Sequence, residues 1–254
     1  NELLRDEAYR RRFRKEYESK FSLRVWHRDF FDAEIVGCPD ESVIGKSFGQ
    51  VGRDRGGVHP VDAFLDLVVE HGSALRWRTT ISNHRPEVLK KLARDSGIQM
   101  GFSDAGAHLR NMAFYNMGLR LLRHVRDSAR SGAPFMTIEH AVHRLTGELA
   151  DWYRIDAGHL RVGDRADLVI IDPERLDSVL DTYAEEPVDQ YGDLPRMVNR
   201  NDDTVSAVFV GGRAVFLDGQ PTGLVGTRRT GRFLRAAHRA PAVTERDGAL
   251  EHVG

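Results

Sequence analysis

The sequence predicts an α/β fold up to about residue 155, followed by a small β unit. Three observations carry this expectation. From residue 34 to residue 102, short apolar runs alternate with helical patterns, an order that argues for βαβ units and a parallel sheet. Helical patterns then dominate to Tyr153. Beyond Tyr153, a continuous apolar strand over 166–171 is followed by 204–219, TVSAVFVGGRAVFLDG. There, two alternating runs flank Gly211-Gly212, a pair suited to the positive φ angles of a two-residue hairpin turn.

Each element has a local reason. Residues 2–20 place Leu3, Leu4, Tyr9, Phe13 and Tyr17 against a charged face, which reads as an amphipathic helix. A short apolar run over 34–37 precedes Cys38-Pro39, and 48–53 reads as helical. Pro60 and Asp62 open a helix over 61–70 with apolar positions at helical spacing. Residues 74–82, ALRWRTTIS, alternate and are rich in β-formers, so they read as a strand. A helix over 86–95 is closed by Gly97, and residues 98–102 form an apolar run that reads as a short buried strand. Helices over 119–131 and 137–153 follow, the second broken near Thr146-Gly147. Asp164 and Asp167 serve the turn at the start of the small β unit and read as structural residues.

The composition narrows the function classes. A chain of 254 residues can bury a sizeable core, and 41% hydrophobic with 30% charged residues is the make-up of a globular protein. A formal net charge of −1 gives no electrostatic case for nucleic acid or an acidic membrane, and the basic run at 10–14 reads as a solvated helix face. No apolar run approaches the roughly 18–20 residues of a membrane-spanning helix. Cys38 is the single cysteine, so no intrachain disulfide can form, which fits a reducing, cytoplasmic setting. The sequence starts inside a charged amphipathic pattern, and the expectation is that it is part of something longer.

The most informative residue is Asp104, in 98–110, IQMGFSDAGAHLR. The apolar run ends in Ser-Asp-Ala-Gly, which delivers a carboxylate to a strand tip with small residues behind it. In a parallel barrel the C-terminal strand ends are where chemistry is done. An acid there is a candidate metal ligand, a general base or both, or alternatively the N-cap of the next helix.

Residues 144–173, RLTGELADWYRIDAGHLRVGDRADLVIIDP, resemble the C-terminal signature of the amidohydrolase superfamily, and 205–223 resembles the sandwich strands that close such chains. Upstream, Val43-Ile-Gly-Lys-Ser, Pro60-Val-Asp-Ala-Phe-Leu-Asp-Leu-Val-Val-Glu and Gly101-Phe-Ser-Asp resemble the D-aminoacylase-like branch, the N-acyl-D-amino-acid deacylases. Residues 223–235 fit the same branch, and the resemblance covers most of 35–235.

The resemblance implies a fold, a cofactor and a site. Residues 1–155 would be the C-terminal part of a TIM-like (β/α)8 metal-dependent hydrolase barrel, 156–238 a small β-sandwich and 239–254 a flexible tail. The family's metal sits at the C-terminal strand ends, with zinc, one or two divalent ions, as the expected cofactor. Asp104 matches the acid after the last barrel strand, which binds or faces the metal and handles protons. The family's His-X-His pair, bridging residue and two further histidines have no match, since His-X-His occurs nowhere in the sequence. Those ligands are expected outside this chain, on an N-terminal half of the barrel supplied in cis or as a second chain.

Arg110, in His108-Leu109-Arg110, corresponds to an arginine thought to hold the substrate carboxylate; the family's proline is replaced here by Leu109. His108, Asn83 and His84 would border the same mouth. His140 and His143, at i, i+3, and Cys38 read as structural residues. The implied reaction is amide hydrolysis of an N-acyl-D-amino acid, with metal-bound water as nucleophile and Asp104 as acid and base. The alternatives are another reaction of the superfamily, such as cyclic amide opening, or a non-catalytic half acting as a structural subunit. A homo-oligomer is open in either case.

Overall fold

The computed structural model describes residues 2–21, 29–81, 83–101, 108, 115–182, 184–189, 192–199 and 201–237. The chain divides into two compact units, Asn1–Lys91 and Leu92–Gly254.

In the first unit, helices α1 (Glu2–Arg5) and α2 (Glu7–Glu18) are separated at Asp6, whose carboxylate accepts the Tyr9 N–H at 2.7 Å and caps α2. Helix α3 (Phe48–Asp54) begins with a reciprocal capping box between Ser47 and Gln50. Helix α4 (Pro60–His71) places Pro60 in its first turn, where a missing N–H costs nothing. Strands β1 (Glu34–Gly37) and β2 (Arg76–Arg78) pair antiparallel, and Arg78 donates to Glu34 at 2.8 Å across the pair. The core is aromatic: Phe30, Phe48 and Phe64 lie with ring centroids 5.0 to 5.4 Å apart, and Trp77 edges onto Phe48 at 5.8 Å. Ile35, Val61, Leu65 and Leu67 close it from β1 and α4.

Helix α5 (Pro86–Arg94) runs across the boundary between the units. The second unit then has α6 (Met117–Arg130), α7 (Ile138–Leu145) and α8 (Gly147–Tyr153). Leu121, Leu122 and Val125 of α6 pack with Met136, Ala141, Leu176 and Leu180. Strands β3 (Leu168–Ile171), β6 (Val205–Val210), β7 (Arg213–Leu217) and β8 (Gln220–Pro221) form one antiparallel sheet in the order β3-β6-β7-β8. A separate antiparallel ribbon joins β4 (Ala184–Val188) to β5 (Leu194–Val198). Among the described residues, no helix is long and apolar enough to cross a membrane.

The mixed α/β order and the helix positions follow the sequence patterns, and the 204–219 hairpin forms with Val210 opposite Arg213. Three expectations are corrected. Every strand pairing among the described residues is antiparallel, so the βαβ parallel sheet is absent there. Both helices expected between the two strands, α3 and α4, are present, but β2 returns antiparallel to β1, with Glu34 opposite Arg78. The expected strand over 98–102 is also absent from its described part, 98–101, because no described segment pairs with it. The 74–82 strand is reduced to Arg76–Arg78, after a 3-10 turn at Gly72–Ala74. No barrel closes among the described residues, and the 239–254 tail lies outside them.

Candidate functional site

The sequence directs attention to the segment from Ile98 to Asn116. Asp104 and Arg110 lie outside the described residues, so the site is read from what holds the two stems of their segment.

The upstream stem leaves α5 through a turn in which Asp95 accepts the Gly97 N–H at 2.9 Å. Ile98 has no strand partner among the described residues, and its carbonyl accepts from the Arg144 guanidinium. Arg144 is on the last turn of α7 and Glu148 on the first turn of α8, and the two pair at 2.9 Å across the break at Thr146. Each charge also sits at the helix end whose dipole favours it. Tyr153 donates to the Gln99 side chain at 3.3 Å, and Met100 packs on the second unit's core.

The downstream stem is anchored at Asn116, the N-cap of α6, which is buried and donates to the Leu180 carbonyl at 2.9 Å. Asn199 donates to the same carbonyl at 3.3 Å. Beside it, the Arg196 guanidinium stacks 5.1 Å from the Tyr115 ring centroid. The turn that carries Leu180 is tied to α6 by Asp181, which accepts from Arg120 and Arg123 at 2.7 Å each. Partial burial pushes the Asp181 carboxyl up, but the hydrogen bond from Arg123 and the charges of Arg120 and Arg123 outweigh it, and the group lies below its ordinary 3.8.

Among the other candidates, His108 is exposed. Asn83 is exposed in the left-handed region at φ 60°, a conformation asparagine tolerates, and His84 is exposed beside it. Asn83 and His84 belong to the first unit and His108 to the second. His140 and His143 are exposed on α7, and Cys38 is partly buried against the first core. Asp164 accepts the Arg161 N–H at 2.8 Å within the turn before β3. Asp167 accepts from Arg165 and from the Gly211 N–H, the latter at 2.7 Å; the Arg165 bond leads in holding its carboxyl below the ordinary value. Among the described residues, no three His, Cys, Asp or Glu side chains are grouped to hold a metal ion. The described residues alone therefore do not fit a metal centre. The residue the sequence reading missed is Arg144; its only signal is an Arg–Glu pair at i, i+4 spanning a predicted helix break.

No family model matches the chain. Uncharacterized proteins of Mycobacterium tuberculosis and Mycobacterium bovis are 56% identical to it over 251 residues, covering 96% of this chain and 41% of theirs. The chain thus spans about two fifths of the length of the curated relatives it matches. Among solved structures it is similar in part to D-aminoacylase, described as defining a subset of amidohydrolases (22% identity, TM-score 0.42, 80% of this chain and 37% of that one). It is also similar in part to N-acyl-D-glutamate deacylase from Bordetella bronchiseptica, complexed with zinc and a phosphonate inhibitor (23% identity, TM-score 0.45, 82% of this chain and 38% of that one).

Proposed function

We propose that this chain is the C-terminal part of a hydrolase of amide bonds, acting on an N-acyl-D-amino acid. The observation that carries the reading is Gly101-Phe-Ser-Asp followed by the 144–173 signature, which together give Asp104 the place of the family's proton-handling acid. A divalent ion, when bound, would polarise the scissile carbonyl and acidify water. Since the described residues do not make its site, its ligands beyond Asp104 are assigned to the remainder of a longer protein or to a second chain. Residues 1–155 and 156–238 keep their assignment as barrel part and sandwich part within that whole.

The chemistry assigned to this chain is proton transfer and charge recognition. The Asp104 carboxylate takes a proton from the attacking water as oxygen adds to the acyl carbon. It returns that proton to the nitrogen as the C–N bond breaks, leaving a carboxylate and a free amine. Arg110 grips the substrate carboxylate through two parallel N–H bonds, with His108, Asn83 and His84 as further substrate contacts.

The test is Asp104→Asn in the full-length protein, assayed on N-acetyl-D-amino acids. Turnover should fall by about two to four orders of magnitude with the circular dichroism spectrum and melting profile unchanged. Near-normal turnover would remove Asp104 from the reaction. Arg110→Ala should raise KM for N-acyl amino acids more than for the corresponding acyl amides, which lack the carboxylate; equal effects on both would reject its role.

A further inference from the structure

No other charged side chain among the described residues is as completely buried as Arg144, which is 0% exposed. One arm of its guanidinium donates to Glu148 at 2.9 Å and the other to the Ile98 carbonyl, while Nε has no hydrogen-bond partner. Packing does not account for a guanidinium at this place. An apolar side chain of similar volume would fill the space without an unpaired N–H, and such replacements of buried charges are often neutral or stabilising. What only the guanidinium supplies is a rigid fork that joins the α7–α8 junction to the backbone at Ile98. Ile98 stands six residues before Asp104, and among the described residues it has no strand partner. Glu148 in turn holds the fork in the plane that reaches Ile98.

We propose that Arg144 is a positioning residue: it clamps the upstream stem of the segment that carries Asp104. The kinetic consequence rests on the deacylase reading above; the structural consequence does not. A positioning error of the order of 1 Å can cost about a hundredfold in rate without weakening substrate binding.

The experiment uses the full-length protein with Arg144→Met, and with Arg144→Lys, which keeps the charge but loses the fork. Backbone hydrogen exchange is followed in peptides covering 98–104, α6 and α8, alongside kcat and KM on an N-acetyl-D-amino acid. Arg144→Met should speed exchange at 98–104 at least tenfold with α6 unchanged, and lower kcat at least tenfold with KM within twofold. Arg144→Lys should move both quantities in the same direction by less, and it carries the test if Arg144→Met fails to fold. Unchanged exchange at 98–104, or acceleration spread equally over α6 and α8, would overturn the proposal. If Asp104→Asn abolishes turnover while Arg144→Met leaves exchange and kcat as they were, this inference fails and the deacylase reading stands. If no variant touches turnover but exchange at 98–104 still rises, the deacylase reading fails and the clamp stands.

Discussion

A β-carbon at Gly158 would lie 2.7 Å from the Thr146 carbonyl oxygen and 2.8 Å from the Ala150 side chain, and φ there is +80°. The glycine lets the chain after α8 pass directly over the break between α7 and α8, the junction that also presents Arg144 and Glu148. Gly158→Ala should therefore destabilise the protein by about 1–3 kcal/mol, from the strained φ and the steric contact together. The check is a denaturant titration; an unchanged midpoint would mean that the chain does not approach this closely. At this scale the sequence was uneven. It marked Asp104 as a candidate because an apolar run there ends in a carboxylate, the position where strand tips carry chemistry. It gave Arg144 no prominence among many arginines, because what distinguishes that residue is complete burial and a carbonyl partner 46 positions away. Neither property is written in local sequence.

Among the elements, the β6–β7 hairpin was the most legible. Gly211 and Gly212 both have positive φ, 57° and 76°, and their flanking strands alternate, so turn and register agree. Replacing Gly212 by Val should disrupt the turn, whereas Asn-Gly in place of Gly211-Gly212 should be tolerated. Thermal melts of the two variants decide it: equal midpoints would show that the turn does not set the register. The helix starts after Ser47, at Pro60 and at Thr137 were also readable, whereas the interruption at Asp6 within the expected 2–20 helix was not. The β4–β5 ribbon was not, for a physical reason. Pro187 stands opposite Pro195, two residues without an N–H to give, amid glutamates and an arginine. Nothing in such a pattern announces a strand, and only its pairing partner makes it one.

At the scale of the molecule, charge and exposed surface carry the predictions. Asp181 is held below its ordinary 3.8 in the folded state, so the unfolded chain takes up its proton first as pH falls. Its contribution is complete above about pH 4 and is lost as the pH drops through the folded value. Asp181→Asn should lower stability at neutral pH by no more than about 1 kcal/mol, since the pair is partly in water, and should flatten the loss of stability below pH 4. Melting midpoints from pH 7 to pH 3 test this; parallel curves for variant and parent would exclude the linkage.

Val162, Leu160, Trp152 and Phe233 are exposed, as are Val169 and Ile170 on β3. The 56%-identical relatives continue well beyond the matched part. The 254-residue chain by itself should therefore melt at a lower temperature than a full-length protein and without one cooperative transition. A single cooperative, monomeric transition at the full-length midpoint would count against an obligatory partner half.

The sequence by itself determined most of the helical segments, the β6–β7 turn, and the choice of Asp104 as a chemical candidate. Those features depend on neighbours within a few residues, where spacing, glycine and capping chemistry act directly. Only the tertiary structure decided that β2 returns antiparallel to β1, that 98–101 stays out of a strand, and that Arg144 is buried against the Ile98 carbonyl. Strand direction, pairing and burial are fixed by contacts between residues far apart in the chain, which no local pattern encodes.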